Sequence, residues 1–155
     1  GLGALSVDHI EYLPPDDVPI LASAGTVAVL LPGAFYVLRE TMLPPISALR
    51  AHGIPMALAT DANPGSSPIF SPLTIMNMGC TLFALTPVEA LSGFTVNAAK
   101  ALGMAHRIGS IESGKAADLV VWNCNHPAEL SYQIGLNPCA GVMQGGQWRS
   151  PPAAP

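Results

Sequence analysis

The sequence has 155 residues, half of them apolar and a tenth charged, with a formal net charge of −4. This is about one domain in size, yet the charged share falls well short of the usual quarter or so, so much of its surface is expected to lie against something else. Six scattered basic residues form no basic stripe for a phosphate backbone, which excludes nucleic acid as the expected partner. The longest apolar stretch, Val27 to Leu38, is interrupted by Pro32-Gly33 and is shorter than the roughly 18 residues of a membrane span. No positively charged start with a cleavage site is visible, which argues against a signal peptide. Cys80, Cys124 and Cys139 are odd in number and lack CxxC spacing. They read as buried, reduced thiols of a cytosolic protein and not as a thiolate metal site.

In chain order, residues 1–12 are expected to open with a strand. Leu5, Val7, His9 and Glu11 would share one face, with Asp8 and Ile10 on the other. Pro14-Pro15-Asp16-Asp17 predicts a helix start, acidic in its first turn, with Val18, Leu21 and Ala22 at helical spacing and Gly25 as its stop. Thr26 to Leu31 is a second strand, apolar on both faces as in a covered parallel sheet. Ala34 to Thr41 predicts a loop or short helix. Pro44-Pro45 then opens a helix with Ile46 and Leu49 inward and Gly53 as its stop. This strand–helix rhythm predicts a parallel sheet with right-handed crossovers.

The third strand, Ile54 to Ala59, leads into Thr60-Asp61 and a break at Asn63-Pro64-Gly65. Ser66, Ser67 and Pro68 read as the next helix start. Asp61 thus stands at a strand's carboxyl end, where a (β/α) barrel places its chemistry. The alternative is that Asp61 only caps the loop through its own backbone, as in an Asx turn.

Pro72 to Phe83 is apolar and rich in methionine, a core helix. Thr86-Pro87-Val88-Glu89 is a capping box that starts one helix through Val88, Leu91, Thr95, Ala98 and Leu102, closed by Gly103. Beyond His106, Gly109 and Gly114 mark turns and Leu119 to Trp122 reads as a strand. Residues 123–149 read as small antiparallel strands, and 150–155 as a frayed tail.

The segment RIGSIESGKAADLVVW, Arg107 to Trp122, resembles the carboxyl-terminal signature of the amidohydrolase superfamily. TDANPGSSP, with SVDHIEYL and TVAVLLPGAFYVLRE, resembles the imidazolonepropionase family more specifically. The resemblance runs from Gly3 to about Arg149 and covers the carboxyl part of such an enzyme. It implies an α/β fold: the C-terminal portion of a metal-dependent hydrolase (β/α)8 barrel, about three βα units in residues 1–104, followed by part of a small β-sandwich in 105–149.

The implied activity is metal-dependent hydrolysis of 4-imidazolone-5-propanoate to N-formimidoyl-L-glutamate in histidine degradation, with zinc or iron as the metal. By resemblance, Asp61 is a metal ligand and catalytic, and His9 is a catalytic residue beside the metal. Asn63, Gly65 and Ser66 are substrate-binding. These residue types suit such roles. A carboxylate both ligates a metal and shuttles a proton. An imidazole polarises a carbonyl, a carboxamide donates to and accepts from an amide-like ring, and glycine lets backbone approach closely.

No role is carried onto Glu11, His52, His106, His126 or the cysteines. The family's HxH pair and middle-strand histidine are missing here, so the other ligands are expected upstream and this chain alone is expected to be inactive. The resemblance also implies a small-molecule substrate, no membrane, a cytoplasmic location and a homodimer of the full-length enzyme. Two alternatives stand beside it: another cyclic amidohydrolase or deaminase-like member, and a non-catalytic βα scaffold that binds a partner through its sheet.

Overall fold

The computed structural model describes residues 3–150. Its first layer is a parallel sheet of β1 (Ser6–Asp8), β2 (Val27–Leu30) and β3 (Met56–Leu58), in that order. Ser6 pairs with Val27 and Asp8 with Val29 on one side of β2; Ala28 pairs with Met56 and Leu30 with Leu58 on the other. Val27, Ala28, Leu30, Met56, Ala57 and Leu58 are all buried. Burial on both faces explains why these strands read as continuous apolar runs without alternation.

Helix α1 (Val18–Ala24) crosses from β1 to β2; α2 (Pro32–Val37) and α3 (Ile46–Ala51) cross from β2 to β3. Gly25 and Gly53 end α1 and α3 in the left-handed region, at φ +68° and +63°, as their sequence positions predict. The expected loop or short helix at 34–41 begins earlier, because Pro32 occupies the first turn of α2, where a missing N–H costs nothing.

Two long helices were expected after the third strand, and both differ in detail. The predicted helix start at Ser66–Pro68 does not form: the chain stays irregular to Ser71, which caps α4 (Pro72–Leu82) by accepting from the Thr74 N–H at 3.3 Å. Ser67 is drawn instead into a tertiary bond described below. The single helix expected from Pro87 to Leu102 is two, α5 (Pro87–Phe94) and α6 (Val96–Ala101). It breaks at Thr95 (φ −121°, ψ −99°), whose hydroxyl donates back to the Leu91 carbonyl at 2.8 Å. A threonine side chain that bonds its own helix backbone competes with continuation, and Val96 follows it.

Helix α5 packs on β3, and α6 on both β2 and β3. A Cβ at Gly93 would stand 3.2 Å from the Leu58 backbone nitrogen, so glycine is what lets α5 lie against the strand. Phe35 of α2 meets Phe83, just past α4, edge to face at 5.1 Å.

The second layer is an antiparallel sheet of β4 (Leu119–Trp122), β5 (Cys139–Gln144) and β6 (Gln147–Ser150). Gly145 and Gly146, at φ +58° and +78°, form the tight hairpin that such signs of φ favour, and Asp118 accepts the Gly145 N–H at 2.7 Å. Ser150 therefore ends a strand, while the rest of the expected tail, 151–155, lies outside the described residues. Between β4 and β5 a 3₁₀ turn, Pro127–Ser131, buries Leu130 and Ser131. Buried Asn77 of α4 donates to the carbonyls of Ser131 (3.0 Å) and Tyr132 (3.1 Å). The three cysteines are free thiols and half-buried, not fully buried as expected. No helix among the described residues is long and apolar enough to cross a membrane.

Arg50 at the end of α3 grips Glu89 of α5 with two bonds, Nε to Oε1 at 2.6 Å and Nη2 to Oε2 at 2.8 Å. Glu89 meanwhile closes the capping box, taking the Thr86 N–H at 2.7 Å. Arg50 foremost, with Thr86, lowers the Glu89 carboxyl from 4.5 to about 2. The ionised form is the one the fold favours, so its contribution is complete above pH 4.5 and disappears as pH falls towards 2. Urea unfolding across that range should show stability falling with pH, and a flatter slope in Glu89→Gln. Glu89→Ala should cost about 1 kcal/mol at pH 7, the usual worth of a cap.

Candidate active site

Because β1 and β3 both run parallel to β2, the segments that follow them emerge at the same edge of the sheet. His9 is the residue after β1, and Asp61 lies three residues beyond β3. Both backbones are left-handed, at φ +53° and +48°, a conformation that Asn, Asp and His adopt more readily than other side chains but still at a cost. The expected shared strand face for Leu5, Val7, His9 and Glu11 therefore ends at the histidine. Ile10 is buried in the core and turns the chain inward, so His9 turns outward. Tyr12 steadies the same turn by donating to Glu40 Oε2 at 2.9 Å. Backbone N–H groups of Met42 and Thr41 hold the Glu40 carboxyl below its ordinary range.

His9 Nε2 stands 3.8 Å from Asp61 Oδ2, with the histidine side chain 55% exposed and the aspartate 32%. That separation is too long for a direct hydrogen bond. Both groups face each other with lone pairs uncommitted to one another.

The loop beyond Asp61 is organised by Asn63. Its Nδ2 donates to the Asp61 carbonyl at 2.7 Å and to Ser66 Oγ at 3.0 Å. Its Oδ1 accepts from the Gly65 N–H (2.9 Å) and the Ser66 N–H (2.7 Å). The Asx-type capping considered for Asp61 is thus performed by Asn63, and the nearest donor to the Asp61 carboxylate within the loop is Asn63 Nδ2, at 3.5 Å. A Cβ at Gly65 would meet only Asn63 Oδ1, at 3.5 Å, so the chain's own packing does not demand glycine there.

Two residues to which the sequence pattern gives only local roles, Ser67 as part of a helix start and Gly33 as a strand end, support the loop. Ser67 is fully buried and donates to the Thr60 carbonyl at 2.6 Å. Its backbone carbonyl accepts the Asn63 N–H at 3.0 Å. It sits on Gly33, where a Cβ would come within 2.7 Å of Ser67 Oγ and 2.9 Å of Ile75 Cδ1. The sequence signal for this seat was the glycine directly after a doubly buried strand, in Leu31-Pro32-Gly33. The other histidines serve local structure or face solvent. His52 ends α3 with Nδ1 2.9 Å from the Ala48 carbonyl, His126 accepts the Ala128 N–H, and His106 is exposed in a turn.

Among the described residues no three His, Cys, Asp or Glu side chains cluster to hold a metal. The chain brings together two donors of the right kind, an imidazole and a carboxylate, where a catalytic zinc takes about three and a water. They fit one edge of such a site. An apolar cavity of about 610 Å³ lies between α4–α6 and β4, and neither His9, Asp61, Asn63, Gly65 nor Ser66 lines it.

Residues 4–149 match the Amidohydrolase family, and the chain belongs to that family. Its relatives by sequence carry a narrower name. The imidazolonepropionase of Shewanella baltica is 60% identical over 146 residues, covering 94% of this chain and 36% of that protein. That of Pseudoalteromonas atlantica is 68% identical over 131 residues, covering 84% and 32%. The chain therefore spans about a third of the length of the curated relatives it matches.

Solved structures carry the fold at lower identity. An adenosine deaminase from Xanthomonas campestris with bound zinc superposes with a TM-score of 0.81 at 24% identity, covering 95% of this chain and 37% of that one. A zinc-complexed atrazine chlorohydrolase from Arthrobacter aurescens gives 0.81 at 20% identity, covering 98% and 38%. The three parallel βα units are thus a portion of the barrel these enzymes share.

Asn63→Ala should leave the Gly65 and Ser66 N–H groups without their acceptor. Their amide exchange should quicken by about tenfold, the worth of one net hydrogen bond, while exchange in β2 stays unchanged.

Proposed function

We propose that this chain is the carboxyl-terminal part of an imidazolonepropionase, which opens 4-imidazolone-5-propanoate to N-formimidoyl-L-glutamate by hydrolysis. Residues 3–104 belong to its barrel and 105–149 to its β-sandwich. The observation that carries the reading is 60% identity over 146 residues to enzymes of that name. The convergence of His9 and Asp61 at one sheet edge supports it.

In this reading Asp61 ligates a divalent ion, zinc or iron, and His9 stands beside it. Bound there, such an ion would bring the pKa of its water to about 7 and so make hydroxide available near neutral pH. Asp61 takes the proton from the attacking water and delivers it to the ring nitrogen that leaves. His9 donates to the carbonyl oxygen as negative charge gathers on it. Gly65 and Ser66 present backbone and hydroxyl to the substrate. Asn63, whose carboxamide is already engaged within the loop, fixes their places and serves the substrate through them. The working enzyme is a cytoplasmic homodimer whose remaining ligands come from the part of the relatives that this chain does not span.

The test exchanges this chain for the matching segment of the Shewanella baltica enzyme and follows loss of the imidazolone absorbance. The hybrid should turn over with one metal per active site, and the 155-residue chain alone should not. Asp61→Asn and His9→Ala in the hybrid should each lower kcat on the order of 10²-fold or more, as loss of one charge-stabilising group does. A folded, metal-loaded hybrid that leaves the imidazolone intact would overturn the assignment. Activity instead on an aminopurine or a dihydropyrimidine would favour a deaminase-like or other cyclic amidohydrolase. A hybrid that binds neither metal nor substrate would leave the scaffold reading.

A further inference from the structure

Asp61 holds φ +48°, a region that costs a non-glycine residue, Asp less than most, and that the surroundings here reinforce. Two peptide planes flank its Cα, and each is held by a side chain. The upstream plane contains the Thr60 carbonyl, which accepts from Ser67 Oγ at 2.6 Å. The downstream plane contains the Asp61 carbonyl, which accepts from Asn63 Nδ2 at 2.7 Å. Fixing both planes fixes φ and ψ of Asp61, and with them the direction of its Cα–Cβ bond.

The two holders differ. Asn63 belongs to the loop and moves with it. Ser67 is fully buried, and its hydroxyl rests on Gly33 at the start of α2, beside Ile75 of α4, where no Cβ fits. Ser67 therefore refers the aim of Asp61 to the core of the fold. We infer that Ser67 is a positioning residue for the Asp61 carboxylate, with Gly33 as its seat. The inference rests on the reading of Asp61 as a metal ligand for its functional consequence, and on geometry alone for its structural one.

Two arms test these separately. In the 155-residue chain without metal, ¹³Cα and ¹³Cβ shifts report whether Asp61 is left-handed. Ser67→Ala should move them out of that range, and Gly33→Ala should do the same by crowding the hydroxyl. Ile75→Val, which trims the core nearby and leaves the hydroxyl in place, should not. Left-handed shifts retained in Ser67→Ala would overturn the inference whatever the enzyme does.

In the hybrid enzyme, chelator competition should show metal affinity weakened by about 10–100-fold in Ser67→Ala, the range for groups that orient a ligand from behind. kcat should fall by a similar factor and KM should stay within about twofold. The double variant Gly33→Ala/Ser67→Ala should bind metal no more weakly than Ser67→Ala, because removing the hydroxyl clears the closest contact of the added methyl and leaves only the ends of the flexible Ile75 and Ile69 side chains to yield. Ile75→Val should lower Tm with metal affinity unchanged. If Ser67→Ala loses Tm as Ile75→Val does and keeps its metal affinity, Ser67 is structural only and the inference fails. If the unmutated hybrid neither binds metal nor turns over, the proposed function fails instead, and the shift measurement still decides the positioning role.

Discussion

Parallel pairing on both sides of β2 is the constraint from which the rest of the molecule follows. It brings the carboxyl ends of β1 and β3 to one edge, although about fifty residues of chain separate His9 from Asp61. Antiparallel pairing of either neighbour would send one of the two residues to the opposite edge. The pairing is maintained by burial: Ala28, Leu30, Met56 and Leu58 are all shielded from water, and a one-residue slip would turn each of a strand's side chains to the opposite face and break its packing. The helices exist to provide that cover, and their glycine stops return the chain to the sheet at the right place.

The edge that results is occupied by backbone under strain. Four non-glycine residues among those described are left-handed, His9, Arg39, Asp61 and Ala84, and His9 and Asp61 are the two whose side chains meet, at 3.8 Å. A loop can hold such residues only when its surroundings over-determine them. Here the over-determination is visible: buried Ile10 on one side, and the Ser67–Thr60 and Asn63–Asp61 bonds on the other. The aspartate carboxylate is thereby largely relieved of loop-building, its contact within the loop being the long one from Asn63 Nδ2 at 3.5 Å.

The sequence made the periodic part of this plain and the tertiary part opaque. Gly25, Gly53 and the Thr86–Glu89 box are local signals, and each acts where it stands. Strand runs without alternation announced a covered parallel sheet. The misses share a cause. Ser66–Pro68 looks like a helix start until Ser67 is seen bonding Thr60 across Gly33, a contact no local pattern encodes. His9 looks like a strand residue until the burial of Ile10 turns the chain. Thr95 interrupts a helix whose apolar spacing runs unbroken through it. Of the candidate site, residue types and spacing pointed to Asp61 and its loop, while the division of labour inside that loop is set by contacts that no local pattern encodes. No third His, Cys, Asp or Glu clusters with His9 and Asp61 among the described residues, so the pair was all that the sequence pattern had to reach.

The bond from Asn77 to the Ser131 and Tyr132 carbonyls has a consequence for how the family diverges. It is the buried donor through which α4 holds the turn between β4 and β5, and its acceptors are main-chain oxygens. Drift at exposed Tyr132 leaves its oxygen in place, so that side chain is free to vary as long as the turn keeps its course, whereas buried Ser131 is also held by its own bond to the Ala128 carbonyl. The amide at 77 has no such latitude. Recombination with a crossover between 77 and 131 would keep this bond when the incoming half preserves the path of its backbone at those two carbonyls.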